Sequence, residues 1–233
     1  MLLTLTDVTK SYSGATVLDR INLTVEEGKI ICILGPSGSG KSTLLNILSR
    51  TEPMDSGELA VHGDVKISYV FQEDRLLPWS TVGENIAFVK QETSKPDVLA
   101  LLEEVGLAPY YDHYPHQLSG GMRQRCSIAR AFYYGGNLLL MDEPFHSLDY
   151  HLRFELVDKL IALWKRSRCA IVLVTHDIDE ALLLGDEILL LSKRQATIAN
   201  RMSIGIPQGQ RSLTDPGLMK YRSDILQHLL AIQ

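Results

Sequence analysis

A glycine-rich segment near the N-terminus has the residue types and spacing of a phosphate-binding loop. It matches the pattern GxxxxGK[ST] and consists of Gly35, Pro36, Ser37, Gly38, Ser39, Gly40, Lys41, Ser42 and Thr43. Glycines let such a loop turn its backbone N–H groups towards a phosphate at positions where a Cβ atom would obstruct. The pattern predicts that Lys41 reaches the β and γ phosphates of a nucleotide and that the Ser42 hydroxyl binds Mg²⁺.

Two acidic residues follow a later apolar run. Asp142 and Glu143 come directly after Leu138–Met141, which has the composition of a buried strand. A phosphate-binding loop needs a second oxygen ligand for its magnesium ion, and we expect Asp142 to supply it. Glu143, one residue further on, is predicted to accept a proton from an attacking water molecule. Taken alone, the pair would also suit an ordinary charged strand end.

A third segment resembles one half of another anion site. Ser119, Gly120 and Gly121 combine a hydroxyl and two glycines at a predicted helix start, but no lysine follows them. An incomplete site in a chain that also carries a complete one indicates two copies that face each other, each completing the site of the other. The alternative is an ordinary helix start.

The elements that must position these residues follow an alternating pattern. Short continuous apolar runs predict strands buried on both faces of a parallel sheet, at Ile30–Leu34, Leu138–Met141, Ala170–Val174 and Ile188–Leu191. Amphipathic helical stripes follow Gly40 and Asp149. Strands that alternate with helices predict a doubly wound α/β core. Near the N-terminus, apolar and polar residues alternate around Leu3–Leu5 and Ile21–Val25, which predicts antiparallel strands.

The middle of the chain breaks this rhythm. Residues 76–119 contain prolines and the helical pieces 82–89 and 96–105. We interpret the 233 residues as one domain: residues 1–75 and 120–200 form the core with a β subdomain, residues 76–119 form an inserted helical subdomain, and residues 201–233 form a C-terminal tail that ends in a helix.

Composition excludes several classes of protein. The chain has 233 residues, 45% hydrophobic and 22% charged, which excludes a coiled coil, a collagen-like fibre and a disordered tail. With 23 basic and 28 acidic residues the net charge is −5, so we expect no nucleic-acid partner. Apolar runs reach five residues, far from the roughly 18 that span a bilayer. Asp7 and Lys10 interrupt any secretory leader, so we expect a cytoplasmic protein.

The cysteines and histidines show no ligand spacing. Cys32, Cys126 and Cys169 are far apart in apolar contexts, which predicts buried, reduced thiols. The seven histidines form no HExxH or comparable pattern, so a structural metal site is not expected.

In their order and spacing, the three phosphate-related segments resemble those of ATP-binding cassette (ABC) ATPases, whose signature sequence Ser119–Gly121 matches. Nearly the whole chain follows that pattern. The resemblance implies a P-loop NTPase with a RecA-like core, an antiparallel β subdomain and an inserted helical subdomain. It also implies a head-to-tail homodimer that holds two ATP molecules, each between Lys41 of one subunit and Ser119 and Gly121 of the other.

The resemblance assigns further roles. Tyr12 is expected to stack on adenine, Gln72 to contact magnesium and water, and His176 to lie at the γ phosphate. Ser147, Leu148 and Asp149 match the D-loop. The residues themselves leave plainer alternatives: Tyr12 packs on the β subdomain, Gln72 is a solvated loop residue, His176 is a strand-end histidine and Asp149 caps a helix.

One stretch points to a branch of the family. The run Val70–Trp79, followed by Thr81, Val82 and Asn85, closely resembles the nitrate/sulfonate/taurine importer ATPases. This resemblance implies that an integral membrane permease contacts the apolar stretch ending in Trp79. It also implies an indirect partner, a solute-binding protein, and a location on the cytoplasmic face of the cell membrane. The alternative is a loop packed on its own helical subdomain.

Two departures weaken a substrate assignment. In the D-loop, His146 and Ser147 stand where the family usually has Ser-Ala. The segment between Gly57 and Gln72 is shorter than in most members of the family. We therefore expect an ATPase that powers an importer of a small solute, with an exporter ATPase still open. A DNA-repair or ribosomal ABC ATPase would need two cassettes or a long coiled coil. The presence of Gln72, Glu143 and His176 disfavours a scaffold that does not hydrolyse ATP.

Overall fold

The computed structural model describes residues 1–146, 148–193 and 195–231. Within these ranges the strands are β1 (Leu3–Tyr12), β2 (Ala15–Val25), β3 (Ile30–Leu34), β4 (Ser56–Val61), β5 (Ile67–Val70), β6 (Leu138–Asp142), β7 (Ala170–Val174), β8 (Glu187–Leu191) and β9 (Ile198–Ser203). The α-helices are α1 (Lys41–Leu48), α2 (Val82–Ala87), α3 (Lys95–Glu104), α4 (Gly120–Tyr134), α5 (Tyr150–Ser167), α6 (Ile178–Leu184) and α7 (Pro216–Ala231).

A six-stranded sheet forms the centre of the fold, in the order β5-β6-β7-β3-β8-β9. The first five strands are parallel, and β9 pairs antiparallel with β8. The four apolar runs all lie in this sheet, which confirms the predicted α/β core. A second sheet, β2-β1-β4, is antiparallel, with Leu3 opposite both Val25 and Val61. The alternating N-terminal pattern is thereby confirmed as well.

Two hydrophobic cores cover the two faces of the central sheet. On β3, Ile31 and Ile33 pack with α1 and the antiparallel sheet, whereas Ile30, Cys32 and Leu34 pack with the other helices. Because alternate side chains of a strand point to opposite faces, a strand between two cores must be apolar throughout. This explains the continuous run. Cys32, Cys126 and Cys169 are buried, as predicted.

Several elements escape the sequence pattern. The strands β4 and β9 are mostly exposed or half-buried, so they lack an apolar run, and β5 and α6 are short. The segment 76–119 contains α2, α3 and two short 3-10 helices. Strand β9 runs across residue 200, where the tail is expected to begin. The proposed division of the chain into subdomains stays a prediction.

The parallel strands bring the expected site residues to one edge. The phosphate-binding loop follows β3, Gln72 follows β5, Asp142 ends β6 and His176 follows β7. The carboxyl ends of parallel strands meet at the same edge of a sheet, which is where open α/β sheets bind ligands. Within the described residues, no helix combines the length and the apolar composition that crossing a membrane requires.

Candidate functional site

The loop between β3 and α1 is shaped by glycines at two crowded positions. Gly40 has a left-handed φ of 80°, and a Cβ atom there would lie 2.8 Å from side-chain carbons of Val17 and Leu18. At Gly35 an added Cβ would lie 2.8 Å from the Ser39 hydroxyl oxygen. Both positions therefore require glycine, the first for its conformation and its neighbours, the second for its neighbours alone.

Lys41 lies folded over this loop. Its Nζ donates hydrogen bonds of 2.8 Å to the carbonyl oxygens of Gly35 and Pro36. Burial lowers the pKa of the lysine, while the negative charges of Glu143 and Asp142 act in the opposite direction. The charged ammonium group is thus within electrostatic reach of both carboxylates.

The loop presents groups that a phosphate would satisfy. Helix α1 begins after Gly40 without a side-chain cap, and its first turn contains no acidic residue. The Ser39 hydroxyl is buried and lacks a hydrogen-bond partner among the described residues. Free N–H groups at a helix start attract anions, so the loop fits a phosphate.

Two oxygen-bearing side chains, Ser42 and Asp142, meet beside the loop. Burial raises the pKa of Asp142, and a hydrogen bond with Ser42 partly offsets this effect. A serine hydroxyl next to a carboxylate is a donor set that suits Mg²⁺. Gln72 is exposed and follows β5, where Val70 pairs with Met141. It therefore lies at the same edge, one strand away from Asp142.

Glu143 is brought together with His176. The residue has a left-handed φ of 43°, and its N–H donates to the carbonyl of Val174 at 2.9 Å. This turn directs the carboxylate towards the segment after β7, where Glu143 Oε2 lies 3.1 Å from His176 Nδ1. The same oxygen lies 3.4 Å from His146 Nδ1. The sequence marks His146 only as a departure from the family pattern and does not predict its contact with Glu143. The spacing of three residues between the two is the signal that could have predicted this contact.

A partly buried charged network supports the segment that carries His176. Arg153 of α5 forms ion pairs with Asp177 and with Glu180 of α6. The Thr175 hydroxyl donates to Glu180, and burial raises the pKa of this carboxyl to about 7. Sequence reasoning missed this network because its members come from separate elements and match no motif.

The turn between β1 and β2 adjoins Tyr12, the residue expected to stack on adenine. A groove of about 540 Å³ is lined by this turn, by Gly38 of the loop and by Lys193 and Gln195. Tyr12 lies at the base of the turn, outside the residues that line the groove. Its ring is 42% exposed, with the Lys10 ammonium 5.1 Å from the ring centroid.

The signature residues lie at the start of α4. Ser119 caps the helix, since its hydroxyl accepts a hydrogen bond of 3.3 Å from the Met122 N–H. At Gly121, a Cβ atom would lie 3.0 Å from Leu148. Asp149 caps α5 through a 3.0 Å bond from the Leu152 N–H.

Within the described ranges, no hydrogen bond joins Ser119 or Asp149 to the phosphate-binding loop. The structure therefore brings together Lys41, Ser42, Asp142, Glu143 and His176, but not the signature residues. Ser147 of the expected D-loop lies outside the described residues.

The segment after Gln72 is tied to two helices. Arg123 and Arg130 of α4 bind it through the Asp74 carboxylate and the carbonyls of residues 74 and 75. Asn85 of α2 is fully buried and hydrogen-bonds both backbone groups of Leu77 and the carbonyls of residues 80 and 81. Trp79, at the apex of this segment, is 73% exposed.

Comparisons with known proteins agree with this geometry. The sequence profile of the ABC transporter family matches residues 18–146. The aliphatic sulfonates import ATP-binding protein SsuB 1 of Pseudomonas syringae pv. syringae is 42% identical over 222 residues, which cover 94% of this chain and 92% of the relative. The aliphatic sulfonates import ATP-binding protein SsuB of Bacillus cereus is 37% identical over 240 residues, which cover 97% of this chain and 95% of the relative.

Solved structures give the same result. The ATP-binding cassette MJ0796, in a dimeric post-hydrolysis state bound to ADP and Pi, superposes with a TM-score of 0.77 at 30% identity and covers 88% of this chain and 100% of its own. Another dimeric structure of MJ0796, a bacterial ABC transporter cassette, has a TM-score of 0.76 at 31% identity, with the same coverage.

Proposed function

Because this chain belongs to the ABC transporter family, we propose that it is the ATP-hydrolysing subunit of an importer for a small solute of the aliphatic sulfonate type. The names of relatives at 37–42% identity over nearly their whole length support import over export. The observation that carries the enzymatic part is the contact between Glu143 and His176 at the sheet edge that also holds Lys41.

In this proposal each residue of the edge has a distinct role. The N–H groups of the loop and Lys41 bind the phosphates of ATP, and the adenine stacks on Tyr12 at the base of the β1–β2 turn. Ser42, Asp142 and Gln72 would hold Mg²⁺, which when bound neutralises phosphate charge. Glu143 accepts the proton of the attacking water, and His176 orients the γ phosphate region.

A second copy of the chain completes the site. Ser119, Gly120 and Gly121 lie at a helix start that makes no bond to its own loop within the described residues, so they are free to face the phosphates of a partner. The dimeric state of the MJ0796 structures supports this arrangement. Asp149 and the D-loop would then lie close to the interface.

The exposed apex at Trp79 is the proposed contact with a membrane permease. Buried Asn85 fixes the segment, and Arg123 and Arg130 connect it to the helix that starts with the signature residues. Nucleotide-dependent movement of α4 would therefore displace Trp79. The subunit would work at the cytoplasmic face of the membrane, with a solute-binding protein acting through the permease.

The substitution Glu143→Gln tests the enzymatic role. It removes the proton acceptor but keeps the shape of the side chain, so we expect ATP binding and ATP-dependent dimerisation to persist while turnover falls about 100-fold or more. Phosphate release measures turnover, light scattering measures dimerisation, and calorimetric titration measures ATP binding. Glu103→Gln, at an exposed position of α3, is the control. Normal turnover in Glu143→Gln would remove Glu143 from this role.

The substitution Trp79→Ala tests the partner. We expect the purified variant to hydrolyse ATP and dimerise normally but to co-purify less well with the co-expressed permease. Met219→Ala, which also removes an exposed apolar side chain, is the matched control. Co-purification of Trp79→Ala at wild-type yield would contradict the proposed contact, and an aliphatic sulfonate that fails to stimulate the reconstituted complex would contradict the solute class.

A further inference from the structure

Two histidines and one carboxylate converge at the edge of the proposed catalytic site. Glu143, His146 and His176 each offer one ligand atom, and these atoms all lie within 4.8 Å of one another. Glu143 comes from the end of β6, His146 from the turn that follows, and His176 from the segment after β7. No spacing in the sequence joins all three.

The distances suit coordination by a single ion. The shared Glu143 Oε2 lies 3.1 Å from His176 Nδ1 and 3.4 Å from His146 Nδ1. In a tetrahedral site with metal–ligand bonds of about 2.0–2.1 Å, neighbouring ligand atoms are about 3.3 Å apart. Two of the three ligand separations therefore already have the length that a tetrahedral site needs.

The cluster is accessible from solvent. The side chains of His146 and His176 are about half exposed, whereas that of Glu143 is 20% exposed. An ion can therefore reach the imidazoles directly, while the carboxylate is held in place by its turn. The two rings meet edge to face with centroids 5.3 Å apart, which directs them to a common region without stacking.

The donor set selects the type of ion. Two imidazole nitrogens and one carboxylate oxygen suit borderline metals such as Zn²⁺, whereas Mg²⁺ prefers oxygen ligands alone. We propose that Glu143, His146 and His176 form a binding site for a zinc-type divalent ion, distinct from the Mg²⁺ site at Ser42 and Asp142, and that occupancy inhibits turnover.

Inhibition would follow from the choice of ligands. A carboxylate bonded to zinc no longer accepts a proton from water, and His176 would be held away from the phosphate. The zinc site itself does not depend on the proposed function, but its effect on turnover does. His146 is the ligand with no role in the proposed hydrolysis, so its removal separates zinc binding from catalysis.

The direct test is calorimetric titration of the purified, nucleotide-free protein with Zn²⁺. We expect one ion per chain for the wild type and a dissociation constant at least about tenfold weaker for His146→Ser, since loss of a ligand costs no less than loss of a group that merely supports one. His151→Ser, which removes an exposed histidine on α5 outside the cluster, should bind like the wild type. Titration with Co²⁺, whose visible absorption reports tetrahedral coordination, should show the same order of affinities: wild type and His151→Ser bind equally, and His146→Ser binds more weakly.

The activity assay is performed separately, at fixed Mg²⁺ and ATP with buffered free Zn²⁺. We expect wild-type turnover to fall by half at the zinc concentration that half-fills the site, and His146→Ser to retain its turnover there. No binding by the wild type, or equal binding by His146→Ser, would overturn the site and leave a hydrogen-bonded cluster only. If no variant hydrolyses ATP, the proposed function fails while the titration still decides the zinc site.

Discussion

Replacement of buried Glu180 by glutamine should change how stability depends on pH. Glu180 is 3% exposed, and burial raises its pKa from the ordinary value of 4.5 to about 7, against the opposing effects of Thr175 and Arg153. The negative charges of Asp177 and Glu143 add to the rise. The folded protein therefore holds this proton more tightly than the unfolded chain does.

The sign and size of the effect follow from linkage. A raised pKa contributes stability that is fully present below pH 4.5 and is lost as the pH rises through about 7. At about 1.36 kcal/mol per pKa unit the whole loss is about 3 kcal/mol. About a quarter of it has occurred by pH 5 and nearly all by pH 8, a difference of about 2–3 kcal/mol. Glutamine stands in for the protonated carboxyl and does not titrate.

Urea-induced unfolding of the wild type and of Glu180→Gln at pH 5, 6, 7 and 8 measures how the stability of each depends on pH. The free energy of unfolding of Glu180→Gln minus that of the wild type should rise by about 2–3 kcal/mol from pH 5 to pH 8. Titrating groups that do not interact with Glu180 contribute equally in both chains and cancel in the difference. Glu103→Gln, the same substitution at an exposed position of α3, is the matched control. A flat difference for Glu180→Gln, or one that falls with pH, would show that the ion pair with Arg153 outweighs burial.

Two further substitutions test the loop. Lys41→Ala removes the ammonium group that lies over the loop, so we expect loss of ATP binding in a calorimetric titration, and unchanged affinity would refute the phosphate role. Gly40→Ala should lower the free energy of unfolding by more than about 1 kcal/mol because its Cβ would meet Val17 in addition to the strained φ. Gly38→Ala, with a similar φ but open space around it, should cost less, and equal losses would show that crowding is not the reason.

Local patterns were enough to predict the core and part of the site. The loop at Gly35–Thr43 and the four apolar runs are each contained in a few consecutive residues, and two cores on one sheet require such runs. Strands β4 and β9 were not found, because exposed strands need not be apolar. Their pairing partners, not their own residues, decide their conformation.

Local sequence patterns could not predict the long-range contacts of the site, because these contacts also depend on how distant segments pair in the fold. The contacts of Glu143 with His146 and His176 depend on the turn after β6 and on the pairing of β6 with β7. The ion pairs of Arg153 depend on how α5 lies beside α6. In both cases the residue types are visible in the sequence, but their proximity exists only in the folded chain.

The hydrogen bonds of Asn85 would lower the entropic cost of the proposed association with a permease. Because one buried side chain holds the backbone of residues 77–81 at four points, the conformational entropy of that segment is lost during folding and not upon docking. In the proposed contact with a permease, the pre-organised Trp79 would bind as a rigid anchor, with little induced fit. In that contact it would also act as a lever, since a rotation of the helical segment beneath it would move the whole apex instead of being absorbed by a flexible loop.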